Sequence, residues 1–116
     1  MSDGLMLEQE LGDEIEAAFQ ANEEFRAAGI ELAAKRAEAR KALKTQMLAY
    51  RAQGYPATLI PKMAEGAETV SNAAFEADCA QAEYDAAREV VLLRKRKIDV
   101  IREQINRDWE QSRRLA

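Results

Sequence analysis

The chain has no histidine, one cysteine, two prolines and five glycines in 116 residues, and only 6% of it is aromatic. Without histidine it lacks the commonest general base and the commonest transition-metal ligand. A Glu-x-x-His di-iron bundle is thereby excluded. Cys79 stands alone, so no intrachain disulfide and no Cys-x-x-Cys pair can form, and nothing points to an oxidising compartment. No glycine-rich phosphate loop and no nucleophile elbow occurs. No apolar run approaches the ~20 residues that span a bilayer, and no basic-then-apolar leader occupies residues 1–21. A cytoplasmic protein without a cofactor is expected, and not an enzyme.

What is present is helix-forming. Hydrophobic residues make up 47% of the chain and charged residues 33%, with alanine supplying much of the apolar share. That balance is the signature of long helices and coiled coils. At this length a single domain, 1–116, is expected. Breakers gather at one place, Gly54, Pro56, Pro61 and Gly66, where Gly54 suits the residue just past a helix end and Pro56 forbids continuation. The spacing predicts a helix over about 13–53, a turn over about 54–66 and a second helix over about 67–113. Asp13 and Glu16 have capping-box-like spacing, so Leu5 to Leu11 is either a separate short turn or an extension of the first helix.

The second helix carries a seven-residue apolar repeat. Val70, Ala77, Tyr84, Val91, Ile98 and Ile105 form one register; Ala73, Ala80, Ala87 and Ile101 form the other, interrupted by Arg94 and Asp108. This is the a/d seam of a coiled coil. The first helix has a less regular counterpart in Leu11, Ile15, Ala18, Phe25, Leu32, Ala39, Leu43 and Tyr50. Charge runs in blocks: -8 over residues 1–24, +5 over 25–53, -5 over 54–93 and +4 over 94–116. Folding the chain back near residue 60 opposes unlike blocks, whereas a parallel arrangement would oppose like ones. The expected fold is therefore all-α: an antiparallel two-helix hairpin, coiled-coil-like, with helices on the order of 60 to 70 Å long.

A second apolar stripe lies on the other side of the second helix: Phe75, Cys79, Ala82, Ala86, Val90, Leu93 and Val100. Phe19, Ala27, Ile30, Ala34, Ala37 and Leu48 form a weaker stripe on the first. A two-helix hairpin cannot bury both sides of a helix, and helices apolar on two sides are usually sandwiched. A homo-oligomer, dimer or tetramer, that completes a helical bundle is expected, or a protein partner along this face. Cys79 lies on that stripe with no base to activate it, as a small packed hydrophobe does.

Carboxylates paired along helix faces (Glu10 with Asp13, Asp13 with Glu16, Glu65 with Glu68) have the spacing of magnesium ligands in all-α nucleotide pyrophosphatases. The acids are dense enough for such pairs to arise without chemistry, and the last pair straddles Gly66. The basic run Arg94, Lys95, Arg96 and Lys97, followed by Arg102, could neutralise phosphates of a nucleic acid or pair with the acidic N-terminal block. Trp109, beside the seam, is expected to pack opposite Leu11. In the turn, Tyr55, Leu59, Ile60 and Met63 are candidates for recognition or for folding back.

The run Gly54-Tyr55-Pro56-Ala57-Thr58-Leu59-Ile60-Pro61, with Asp78, the stretch from Ala82 to Ala87, the stretch from Ile98 to Ile105, and Trp109, resembles small helical proteins of phages and prophages. Those are often encoded near genes for strand-annealing recombination and single-strand binding. The resemblance covers about half the chain and brings no functional residues with it. It implies a phage accessory protein, working in the host cytoplasm by protein contact, either in DNA recombination or against a host defence. The alternative is a nucleic-acid-binding accessory factor that uses the basic C-terminal helix.

Overall fold

A computed structural model of the chain describes residues 2–115, with side chains from residue 5 onward. The described residues form three helices and no strand: α1 (Ser2–Ala52), α2 (Ile60–Glu65) and α3 (Glu68–Leu115). Helix α1 begins well before Asp13, so Leu5 to Leu11 is an extension of it and not a separate turn. Gly12 is the only breaker between Leu5 and Asp13, and glycine costs a helix only about 1 kcal/mol against alanine. Stopping at Asp13 would leave backbone groups to be satisfied elsewhere.

The end of α1 follows from Gly54. Its φ of +86° lies in the left-handed region that favours glycine. The Gly54 amide donates to the Arg51 carbonyl at 3.1 Å, and the Tyr55 amide reaches back to the Tyr50 carbonyl at 3.3 Å. This is a Schellman cap, and its usual side-chain contact is present: the Tyr50 and Tyr55 rings meet edge to face, centroids 5.5 Å apart. Pro56 then prevents any continuation.

Within the expected turn lies α2, one element more than the breakers predicted. Its proline sits in the first turn, where a missing amide costs nothing, and its end is marked by Gly66, whose amide donates to the Lys62 carbonyl. Ile60 and Ala64 are buried and Met63 half-buried, while Tyr55 and Leu59 are exposed.

The chain divides into two compact units, Met1–Arg26 with Ala86–Ala116, and Ala27–Asp85. In the first, Leu7, Leu11, Glu14, Ala18, Ala21 and Phe25 of α1 are withdrawn from solvent in four-three spacing. Ala87, Val91, Arg94, Ile98, Ile101, Ile105 and Asp108 of α3 are withdrawn in the same rhythm. Arg94 and Asp108, interruptions in an apolar repeat, occupy seam positions in the structure. Trp109 does not anchor there; it is exposed, one residue past the seam position Asp108.

In the second unit the withdrawn α1 positions include Ala28, Leu32, Lys35, Ala39 and Ala42, and those of α3 include Val70, Ala73, Ala77, Ala80 and Tyr84. Gly29 faces Tyr84, whose ring carbon Cε2 would lie 3.4 Å from a Cβ placed at the glycine. Six residues later along α1, Lys35 reaches Glu76, eight residues earlier along α3. Leu11, Ile15, Ala18, Phe25, Leu32, Ala39, Leu43 and Tyr50, the expected α1 seam, are all buried or half-buried.

Candidate interaction surfaces

Lys and Glu at seam positions explain why the α1 repeat looks irregular in the sequence. Glu14 is only 7% exposed. Arg94 Nη1 donates to both its carboxylate oxygens at 3.2 Å, and Lys97 Nζ lies 2.9 Å from Oε1. The Lys97 bond, then the Arg94 bond and the two positive charges, hold this carboxyl below the usual carboxylate range against the opposing effect of burial. In the second unit Lys35 is bonded to Glu76 at 3.3 Å, and that bond, with the charges of Glu38, Glu76 and Glu31, holds its ammonium pKa above the ordinary lysine value. Arg36 donates to Gln81, which in turn donates to Asp85 at 3.0 Å.

These contacts sort the basic run. Arg94 and Lys97 serve Glu14, whereas Lys95, Arg96 and Arg102 are exposed and hold no ion pair among the described residues. Among the described residues the charge blocks therefore neutralise each other at a few points only. Among the described residues Asp13 and Glu16 make no ion pair, and neither do Arg40, Lys44 and Arg51 at the other end of α1.

The outer stripe of α3 is exposed wherever its residues fall. In the second unit these are Phe75, Cys79 and Ala82; in the first, Ala86, Val90, Leu93 and Val100. Phe75 is 68% exposed, Leu93 60% and Val100 55%. On α1, Phe19, Ile30 and Leu48 are likewise exposed. Single exposed apolar residues are ordinary. Here they coincide with a thin interior: no side chain larger than alanine is wholly buried among the described residues.

A groove of about 570 Å³ lies in the second unit near the end of α1. Leu43, Met47 and Ile60 line it together with Arg40, Lys44 and Arg51, and no acid does. A shallow hollow in the first unit is its electrostatic opposite, lined by Asp13, Glu16 and Glu23 beside Phe19 and without a base. The groove was not visible in the sequence because it joins α1 to Ala57 and Ile60 of the turn segment. Among the described residues no three of His, Cys, Asp and Glu stand close enough to hold a metal ion, and no helix is long and apolar enough to cross a membrane. Compared with family models, with curated proteins and with solved structures, the chain matches none.

Proposed function

We propose that the chain is a non-enzymatic interaction protein: an antiparallel helical hairpin that completes its burial in a helical assembly and presents the outer face of α3 to a protein partner. The observation that carries this reading is the exposure of Val90, Leu93 and Val100 on a helix whose opposite side is already committed to the seam. The antiparallel sense is supported by the opposed order of the Gly29, Tyr84 and Lys35, Glu76 contacts. The resemblance of the Gly54 to Trp109 span to phage and prophage proteins supports a role in the host cytoplasm, as a recombination accessory or an inhibitor of a host defence.

The test pairs wild type with Val90→Asp, Leu93→Asp. Wild type is expected to sediment as more than a single chain and to retain a specific protein from its native lysate that the variant, equally helical, does not. A strict monomer that captures nothing differently from the variant would sink the reading.

The second reading, nucleic-acid binding by α3, is favoured by one observation: Lys95, Arg96 and Arg102 are exposed and uncommitted among the described residues. Reversing these three is the right experiment, since Arg94 and Lys97 hold Glu14 and their loss would disturb the seam. Binding that falls steeply with salt and disappears in the triple variant would establish this reading; salt-independent or absent binding removes it.

A further inference from the structure

We infer that the assembly closes through α1: the acidic, Phe19-bearing stretch of one copy docks into the basic groove beside Leu48 of a second copy, and the contact is reciprocal. This rests on the proposed reading only in that the chain acts by protein contact. It assigns self-association to a surface other than the α3 stripe and leaves that stripe to a foreign protein.

The occupant follows from charge and shape. The groove offers Arg40, Lys44 and Arg51 around an apolar lining that includes Met47, and no acid among the described residues pairs with them. What fits is an acidic segment carrying a large exposed apolar side chain. The chain supplies one: Phe19 is 68% exposed, flanked by Glu16 and Glu23, in a stretch whose first 24 residues contain eight acids and no base. Glu16 makes no ion pair among the described residues, and Glu23 only a 3.9 Å contact with Arg26 on its own helix.

Order along the helix sets the symmetry. In α1 the acids come first and the bases last, so an antiparallel meeting of two α1 helices satisfies both ends at once. The contact is then isologous and closes as a pair, instead of propagating as a head-to-tail contact would. Burying Phe19 and the groove lining removes apolar surface from water, and the uncommitted charges gain partners of opposite sign.

The experiment is a charge swap on the full-length chain, read by light scattering with helicity followed by circular dichroism. One variant carries Lys44→Glu and Arg51→Glu, the other Glu16→Lys and Glu23→Lys. Wild type is expected to be a dimer whose dissociation constant rises at least about tenfold between low and high salt, since exposed pairs are screened. Each variant is expected to be a monomer, and an equimolar mixture to recover the dimer, because every reversed residue again meets its opposite. A second measurement does not depend on the swapped variants folding well. In a Cys79→Ser background, Phe19→Cys of one copy should form a disulfide with Leu48→Cys of another. A monomeric wild type at ~100 µM, dimeric single variants, failure of the mixture to recover, or no cross-link would overturn the inference. If Val90→Asp, Leu93→Asp dissolves the dimer while the charge variants keep it, the contact runs through α3: the α1 inference falls and the interaction reading stands.

Discussion

Glu14 shows how one residue can specify a seam. A carboxylate at a buried position needs its partners, and Arg94 and Lys97 stand where they can reach it. Sliding α3 by one heptad would bring Ile101 or Ala87 to the place of Arg94 and leave the carboxylate buried without a base. Such a residue selects register, much as a single polar residue does in a coiled coil. The lowered pKa gives this a pH signature. The carboxyl is more acidic folded than unfolded, so its contribution is present above the ordinary carboxylate pKa, about 4.3. It is lost as pH falls through the ordinary range and the lower folded value. Glu14→Gln is expected to be less stable than wild type at pH 7, with the difference shrinking toward pH 3; urea unfolding at stepped pH measures it. A constant difference would mean the ion pairs are idle.

At the scale of the element, α3 is two helices' worth of surface on one backbone. Ile101 is buried in the seam, whereas its neighbour Val100 is 55% exposed on the outer face. Truncating a buried isoleucine costs lost transfer energy and a cavity, so Ile101→Ala should destabilise by about 2 to 4 kcal/mol. Val100→Ala should stay within about 0.5 kcal/mol of wild type in the isolated chain. Chemical denaturation of the two variants compares the faces directly. The α3 seam was legible from residue types because nearly all its positions are apolar. The α1 seam was legible only in part, since Glu14 and Lys35 sit in it and hydrophobicity does not reveal a polar residue that is buried by being paired. The Gly54 cap was readable from glycine followed by proline; α2 was hidden because six residues between breakers read equally well as a turn.

For the whole molecule the decisive fact is how little is buried. Only eight apolar residues are buried among the described residues, three of them alanine. If another copy covers the outer faces, as proposed, folding depends on protein concentration. The midpoint of thermal unfolding is expected to rise by about 2 to 4 °C per tenfold increase in protein concentration. Calorimetry over two decades of concentration checks this, and a constant midpoint would count against self-association.

Two long helices, the turn between them, the α3 seam and its outer stripe follow from the sequence by itself. Helical periodicity and the placement of glycine and proline are local properties, visible wherever the chain is read. The tertiary structure decided what depends on residues far apart: that Arg94 and Lys97 belong to Glu14, that Trp109 is left in solvent, and that Met47 and Arg51 share a groove with Ile60. Charge blocks set an expectation of which stretches oppose each other. Only the positions of side chains in space told which charges are paired and which, among the described residues, make no ion pair.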